Sequence, residues 1–154
     1  MSTKHIPDGY HTVTPYITVR NGAAALDFYQ RAFGATVPMR MDAPNGKVGH
    51  AEFHIEGSPV MMSDEYPEMG AISPETLGGV ASSIMIYLKD VDARFAQAIA
   101  AGGIVERPVK DQFYGDRSGT LKDPFGHRWT LATHVEDIPP DEMSKRAAAA
   151  MGGA

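Results

Sequence analysis

The chain has 154 residues, a net charge of −5 and no cysteine. That length is typical of one domain with its own core, and the apolar fraction of 43% is close to the globular average, so we expect an ordered chain. Without cysteine, the chain has no disulfides, no thiolate catalysis and no sulfur-ligated zinc, which is consistent with the cytoplasm. It also has no cluster of basic residues that would favour nucleic-acid binding. No apolar run is long enough for a membrane span or a signal sequence.

The first half of the chain predicts one helix among four strands. Residues 13–19 are rich in β-branched and aromatic side chains, which favour a strand. Asn21 is a suitable N-cap for a helix over residues 23–33, and Gly34 is suited to end it. Three further strands are predicted at residues 35–41, 48–56 and 59–63.

The second half repeats this order after a polar loop. Asp90 caps a predicted helix over residues 91–101, and Gly102 and Gly103 end it. Strands are predicted at residues 82–88, 104–110, 113–122 and 127–133. Adding 69 to a residue number aligns the halves, so that Thr14 matches Ser83 and Gly34 matches Gly103. The shared order of elements indicates an internal duplication.

We therefore expect a single domain over residues 1–138. Its predicted parts are a first module at about 13–63, a linking loop at 64–79 and a second module at about 82–134. A long polar loop of this kind is often functional or mobile. Residues 139–154 predict a helical tail that frays at residues 152–153.

Three segments of the sequence are also characteristic of a known family. They read PYITV followed by AALDFYQRAFGA in the first half, GHAEF after the first hairpin, and DQFYGDRSGTLKDPFGHRW in the second half. Together they resemble the vicinal oxygen chelate superfamily, which contains glyoxalase I, extradiol dioxygenases and the fosfomycin- and bleomycin-resistance proteins, and most of all its PhnB-like branch. The resemblance implies an α+β fold in which two βαβββ modules form a curved, cup-shaped mixed sheet. It also implies a homodimer in which modules of different chains complete each cup.

The DPFG sequence at residues 123–126 has a purely structural explanation. Asp at the first position, Pro at the second and Gly at the fourth suit a type I turn. We expect a hairpin there, with Phe125, Trp129 and Leu131 in the core beneath the helices.

The resemblance also identifies the positions of a metal site. Metal-bearing members take ligands from the first and fourth strands of each module, and the corresponding residues here are Thr14, Met62, Ser83 and Thr130. Neutral hydroxyls bind divalent cations weakly without carboxylates, and a thioether is too soft for Mg²⁺ or Mn²⁺. We therefore expect no metal and no other cofactor. This expectation would be wrong if the fourth-strand position fell at Asp64 or Glu65.

The strand at residues 48–56 alternates between two faces. His50, Glu52, His54 and Glu56 share one face. Three interpretations stay open: a solvated face, a polar wall of the cup, and a metal site. The backbones of His50 and His54 lie about 13 Å apart on a strand, so only neighbouring side chains could share an ion, and a third ligand would have to come from elsewhere.

The segment around residues 113–120 is dense in polar groups. The resemblance directs alternate side chains toward the cup and Arg117 away from it, unless a bulge at Gly115 changes the parity. The predicted inward residues are Tyr114, Asp116, Ser118 and Thr120. Tyr16, Met85 and Tyr87 share the parity of Thr14 and Ser83 and would make the cup aromatic and apolar, as small-molecule pockets usually are.

The leading prediction for function is a dimeric protein that binds a small organic molecule without a metal. Glu52 and Asp116 would favour cationic or planar ligands. The alternative is a metal-dependent lyase, isomerase or dioxygenase with relocated ligands, such as His50 and Glu52 with a residue of the 64–79 loop. A metal-free variant would use His50 or Glu52 as base and Tyr114 as proton donor. A purely partner-binding role, through that loop or the tail, has no motif in its favour.

Overall fold

The structure, a computed structural model, describes residues 3–152, which form two βαβββ modules and a C-terminal helix. The first module contains, in chain order, β1 (Tyr16–Val19), α1 (Gly22–Phe33), β2 (Thr36–Asp42), β3 (Val48–Ile55) and β4 (Ser58–Asp64). The second contains β5 (Ser83–Tyr87), α3 (Val91–Ala100), β6 (Ile104–Asp111), β7 (Asp116–Lys122) and β8 (Arg128–His134). The short helix α2 (Pro74–Leu77) lies between the modules, and α4 (Pro140–Met151) follows them. The predicted α+β fold is confirmed.

Each module forms one four-stranded mixed sheet, and the two sheets share one topology. Their strand orders are β1-β4-β3-β2 and β5-β8-β7-β6. The pairs β1–β4 and β5–β8 are parallel, whereas the remaining pairs are antiparallel. Helices α1 and α3 pack against each other, and each lies on one side of its own sheet. The other side of each sheet is open, and we call these sides the first face and the second face.

The two main helices begin with the same local structure. Asn21 and Asp90 have φ/ψ values of −137°/91° and −137°/93°. Each side chain accepts a hydrogen bond from the backbone N–H three residues later, at 3.1 and 3.0 Å. These bonds satisfy an N–H group that the first helical turn leaves without a partner. The caps are 69 residues apart in sequence, which agrees with the predicted offset.

The core is a cluster of aromatic side chains between α1 and the two sheets. Tyr29 of α1 stacks on Phe53 of β3 with 4.5 Å between ring centroids, and Phe33 contacts Trp129 of β8 at 4.9 Å. Phe125, Trp129 and Leu131 are buried, as predicted. Each large aromatic side chain removes about 150–250 Å² from water, so this cluster dominates the apolar stabilisation of the fold.

Asp123, the first residue of the DPFG turn, is buried against this cluster. Its Oδ1 accepts hydrogen bonds from the backbone N–H groups of Phe125 and His127, both at 2.9 Å. Its Oδ2 accepts from the Tyr29 hydroxyl at 2.7 Å and the Trp129 indole N–H at 2.9 Å. Burial, and then the Asp123 charge, raises the pKa of Tyr29 well above its ordinary value. One turn of the second module thus holds the helix of the first.

Two strands begin three residues later than predicted. Before β1, residues of the 3–15 segment line a cleft on the first face, and the Pro15 carbonyl accepts a hydrogen bond from the Met61 N–H of β4 at 2.9 Å. Before β7, residues 112–115 form a tight turn in which Gly115 N–H donates to the Gln112 carbonyl at 3.2 Å. Gly115 has a φ of +96°, and a Cβ atom there would lie 2.2 Å from the Glu136 carbonyl oxygen. This turn therefore requires glycine.

The linking segment contains more structure than the predicted loop. It forms a 3-10 turn at Pro67–Met69 and helix α2, which Ser73 caps. Glu65 holds the segment by accepting hydrogen bonds from the backbone N–H of Ser73 at 3.1 Å and the hydroxyl of Thr76 at 2.7 Å. Hydrogen bonding from the Ser73 side chain, then from the Thr76 hydroxyl and the Ser73 N–H, with Arg20 nearby, lowers the pKa of Glu65 from 4.5 to about 2.

The predicted tail forms helix α4. Arg146 bridges Glu136 at 2.8 Å and Glu142 at 3.1 Å, which ties the helix to the segment that precedes it. The helix ends at Met151, with Gly152 as its cap. Gly153, where fraying is predicted, lies outside the described residues. Within residues 3–152, every helix is too short or too polar to cross a bilayer.

Candidate functional site: the two open sheet faces

The predicted cup residues lie on two separate faces in one chain. Strand register places Tyr16, Met61, Glu52 and Met39 side by side across the first face. The same row on the second face is Met85, Thr130, Thr120 and Arg107. The residues expected to line one cup therefore form two half-sites, each built on one module.

The first face carries a cleft of about 590 Å³ beneath the chain's N-terminal segment. Residues 3–15, which we call the N-terminal strap, contribute His5, Tyr10 and His11 to its lining, and the sheet contributes Glu52 and Met61. The Tyr10 hydroxyl donates a hydrogen bond to Glu52 Oε2. This bond, followed by burial and the Glu52 charge, raises the pKa of Tyr10.

Glu52 also contacts a second polar group on this face. The distance from His50 Nε2 to Glu52 Oε1 is 3.5 Å, and His50 Nδ1 lies 3.0 Å from the Tyr16 hydroxyl. A continuous polar chain therefore runs from Tyr10 through Glu52 and His50 to Tyr16. On the other side of the strand, Ala51, Phe53 and Ile55 are buried in the core, which agrees with the predicted alternation. Glu56 departs from it, because it lies in the turn after β3 and pairs with Arg94 of α3 at 3.6 Å.

The second face carries a cleft of about 620 Å³. Met85 and Tyr114 supply partly exposed apolar surface, whereas Ser118, Thr120 and Thr130 supply hydroxyl groups. The hydroxyls of Thr120 and Thr130 lie 3.0 Å apart and share a hydrogen bond. Arg107, Lys110 and Gln112 of β6 and the following turn complete one side of this cleft.

Asp116 lies beside this cleft but is buried and fully engaged. Its Oδ2 accepts a hydrogen bond from the Tyr87 hydroxyl at 2.8 Å, and its Oδ1 lies 2.8 Å from His134 Nδ1. The bond to Asp116, and then one to Asp137, raises the pKa of His134. The bond to Asp116 likewise raises the pKa of Tyr87. Asp116 therefore orders its neighbours. The prediction that it faces a ligand differs from the structure, because its side chain is buried.

Arg117 points away from the second face, as predicted. Its guanidinium pairs with Asp92 of α3 at 2.7 Å and with Asp111 at 3.1 Å. Because Ser118 and Thr120 line the cleft, the parity of β7 is regular from Asp116 onward. Gly115 adopts a turn before the strand and does not reverse that parity.

The fourth-strand position of the first module requires a correction. Met62 is completely buried in the core, whereas its neighbour Met61 lines the first cleft. Met61 also precedes Thr130 by 69 residues, so the two occupy matching places. The prediction was one residue out because the short strand β4 offered no polar alternation to set its phase.

The four positions do not suit a divalent metal ion. They carry Thr14, Met61, Ser83 and Thr130, which provide three hydroxyls and a thioether without any carboxylate or imidazole. Ser83 is exposed at the start of β5 and lines neither cleft.

Asp64 and Glu65, the acids at which the fourth-strand metal position could have fallen, already have hydrogen-bond partners away from the clefts. Asp64 accepts hydrogen bonds from the backbone N–H groups of Gly22 at 2.8 Å and Val48 at 2.7 Å. Glu65 anchors the linking segment. Neither carboxylate is directed at a cleft.

The alternative metal site, built on His50 and Glu52 with a residue of the 64–79 loop, has two of its three ligands in place among the described residues. His50 and Glu52 are adjacent, but the part of the chain that the structure describes contains no group of three His, Cys, Asp or Glu side chains placed to hold an ion. Nor does one chain bring His50 or Glu52 to Tyr114, since His50 and Glu52 lie on β3 of the first module and Tyr114 lines the cleft of the second. The predicted acid–base pair is therefore not assembled within a single chain.

Sequence reasoning missed three groups that shape these faces. Residues 3–12 of the N-terminal strap have no strand or helix pattern, although His5, Tyr10 and His11 are conspicuous in this polar segment. The strand predicted at residues 104–110 contains Arg107 and Lys110 but gives no sign that they share a face. His134 directly follows the last predicted strand, and its pairing with Asp116 depends on strand register.

Known proteins share both the sequence pattern and the fold. The family model described as Glyoxalase/Bleomycin resistance protein/Dioxygenase superfamily matches residues 9–131. Uncharacterized protein Mb0911c of Mycobacterium bovis (strain ATCC BAA-935 / AF2122/97) is 40% identical over 134 residues, which cover 85% of this chain and 88% of that protein.

Solved structures superpose on most of the chain. TioX from Micromonospora sp. ML1 does so with a TM-score of 0.66 and 24% identity, covering 81% of this chain and 99% of its own. A Bacillus cereus structure described as a putative 3-demethylubiquinone-9 3-methyltransferase, PhnB protein, has a TM-score of 0.61 and 21% identity, with coverages of 80% and 99%. The chain belongs to the glyoxalase/bleomycin resistance protein/dioxygenase superfamily.

Proposed function

We propose that this protein binds a small organic molecule in the cleft of the second face, without a metal ion. The observation that carries the proposal is the lining of that cleft: Met85 and Tyr114 offer apolar contact, and the hydroxyls of Ser118, Thr120 and Thr130 converge beside them. Thr130 occupies a position at which metal-bearing relatives have a residue that coordinates the metal ion. A hydroxyl there is suited to hydrogen-bond an organic group directly.

The size of the cleft is consistent with this role. Pockets for small molecules usually measure about 300–1,000 Å³ and combine mostly apolar walls with a few polar groups. A ligand of about 20 non-hydrogen atoms at about 0.3 kcal/mol per atom would bind with about 6 kcal/mol, a dissociation constant in the tens of micromolar. Binding of that strength is measurable with ordinary protein concentrations.

We further infer a homodimer in which a second copy covers the open faces. Large apolar side chains lie exposed on both faces, among them Tyr16, Met39 and Met41 on the first and Met85 and Tyr87 on the second. Contiguous exposed apolar surface of this kind is typical of interaction sites. Light scattering should give twice the chain mass, and Met41→Lys should give a monomer; a folded wild-type monomer at micromolar concentration would overturn the dimer.

The absence of cysteine supports the cytosol as the compartment.

The binding proposal can be tested with a neutral aromatic probe. N-phenyl-1-naphthylamine should show saturable fluorescence enhancement with one site per chain, and EDTA should not change its affinity. Thr130→Trp should abolish binding by filling the cleft, whereas Lys145→Gln, on the exposed side of α4, should leave it unchanged. A folded wild-type protein that fails to bind the probe saturably would overturn the proposal.

The second candidate is catalysis at the polar chain of the first face. The contact between His50 and Glu52, closed by Tyr10 and Tyr16, is the observation in its favour. Because only two ligands are present, a metal enzyme would need a third donor from outside the described part of this chain. Metal analysis of untagged protein decides the matter: a stoichiometric ion that Glu52→Ala removes would establish the metal enzyme and exclude the metal-free proposal.

A further inference from the structure

Two basic side chains stand on one side of the second cleft. Arg107 and Lys110 both belong to β6 and line the cleft wall. On a regular strand, residues three apart point to opposite faces. The register of β6 shifts between them, however, so that Arg107 lies opposite Thr120 and Lys110 lies opposite Ser118. This bulge directs both cations to the second face while Val109 packs on the core.

The matching positions on the first face carry no charge. Met39 lies opposite Glu52, and Met41 lies opposite His50. The sheet positions that hold an acid and an imidazole in the first module thus hold Thr120 and Ser118 in the second, while two methionines are replaced by two cations. The modules share a frame but present opposite charge.

The acidic groups in and near the second cleft, among them Glu106 in its wall, already have partners. Glu106 pairs with Arg128, Asp111 pairs with Arg117, and Asp116 holds Tyr87 and His134. Throughout residues 3–152, no carboxylate lies within ion-pair distance of Arg107 or Lys110. The cleft therefore has an excess of positive charge, next to hydroxyl and amide donors.

We propose that the second cleft binds an organic anion. Its carboxylate, sulfonate or phosphonate group lies between Arg107 and Lys110 and accepts hydrogen bonds from Ser118 or Thr120, and its apolar body contacts Met85 and Tyr114. Charge-assisted hydrogen bonds are about twice as strong as neutral ones, and a guanidinium matches the geometry of such oxyanions. This inference rests on the proposed binding function and replaces the preference for cations expected from Glu52 and Asp116.

The test uses two probes that differ by one anionic group. The probes are 8-anilino-1-naphthalenesulfonate and its neutral analogue N-phenyl-1-naphthylamine. We expect the sulfonate to bind wild-type protein at least tenfold more tightly than the neutral probe, and added salt to weaken only the sulfonate. The double variant R107Q/K110Q should weaken sulfonate binding at least tenfold and leave the neutral probe unchanged.

A charge-matched variant separates the cleft from net charge. K89Q/K145Q removes two exposed lysines outside the second cleft and should bind both probes like the wild type. If R107Q/K110Q binds the sulfonate as tightly as the wild type does, the anion site is wrong while the binding cleft stands. If neither probe binds the folded wild type saturably, the proposed binding function fails. Thermal melts of all variants confirm that each is folded.

Discussion

The two modules have the same backbone frame but different polar chemistry. Both begin their helix with an Asx cap, place parallel strands side by side and leave one sheet face open. The first face carries an acid, imidazoles and methionines, whereas the second carries hydroxyls and cations. The difference shows that the core preserves the duplicated fold, while the open faces are free to acquire different binding chemistry.

The ends of the two sheets show the same divergence. Asp64 at the end of β4 and Thr133 near the end of β8 both accept a hydrogen bond from the first N–H of the adjacent helix. The next residues, Glu65 and His134, each hold the segment that leaves the module. An acid and a base thus perform equivalent structural tasks.

The largest expected effect on stability distinguishes the two turns that join the last two strands of each module. Asp123→Ala in the second module would leave the Tyr29 hydroxyl and the Trp129 indole N–H buried without an acceptor. We expect a loss of about 3 kcal/mol or more in the free energy of unfolding. The exposed Glu56, in the matching turn of the first module, is the control: Glu56→Ala should change stability by less than about 0.5 kcal/mol. Urea denaturation measures both, and equal losses would contradict the special role of Asp123.

The next effect concerns the residues that receive the helix N–H groups. Asp64→Ala removes the acceptor of two buried N–H groups and should cost about 2–3 kcal/mol, because each is left unsatisfied. Thr133→Val removes a neutral hydroxyl that accepts from the Val91 N–H and donates to the Leu88 carbonyl; both sites are only partly buried, so the cost should be about 1 kcal/mol. Denaturant unfolding of the two single variants should preserve this order, and the reverse order would show that the two buried donors on Asp64 do not make it the stronger anchor.

The pH dependence of stability should differ at the two anchors. The pKa of Glu65 is lowered to about 2, so its contribution is complete above 4.5 and lost as pH falls toward 2. The pKa of His134 is raised above 6.5, so its contribution is complete below 6.5 and lost as pH rises through the raised value. His134 is half exposed, so we expect its effect to be the smaller one.

Denaturation midpoints across pH can separate these anchors. Relative to wild type, Glu65→Gln should be destabilised at neutral pH and lose that difference below pH 4.5. His134→Gln should be destabilised at pH 5–6 and lose the difference in alkaline solution. A difference that is constant over the whole pH range would mean that these groups do not anchor their segments through charge.

The smallest expected effect is local to the first face. Tyr10→Phe removes the hydrogen bond to Glu52 and should loosen the N-terminal strap with little change in global unfolding. Hydrogen–deuterium exchange should quicken in peptides from residues 3–15, whereas peptides from β7 and β8 should keep wild-type rates. An unchanged strap would show that its other contacts suffice to hold it.

Much of the fold was predictable from local pattern. The Asx caps and the alternation of β3 are short-range signals, and such signals located the helices and most strands within one or two residues. The strand starts at β1 and β7 were wrong because the strap and the 112–115 turn are defined by contacts with distant parts of the chain.

The site was less predictable because it depends on register and on which module a residue joins. The alternation of β3 correctly placed His50 and Glu52 on an open face, and that of β7 placed Ser118 and Thr120 on the other. Met62 was misplaced because a uniformly apolar strand does not indicate its own phase. The use of Arg107 and Lys110 on one face required a bulge, which strand periodicity cannot reveal.

The bond from Tyr29 to Asp123 bears on how a duplicated gene became one protein. An ancestral half that paired with a free twin could obtain this acceptor from another molecule, but here it comes from the same polypeptide, 94 residues away. Fusion has made the halves mutually dependent. A fragment that stops before residue 80 would lack both the acceptor of the Tyr29 hydroxyl and the Phe125 and Trp129 rings that cover it, and we expect it to show no cooperative melting transition.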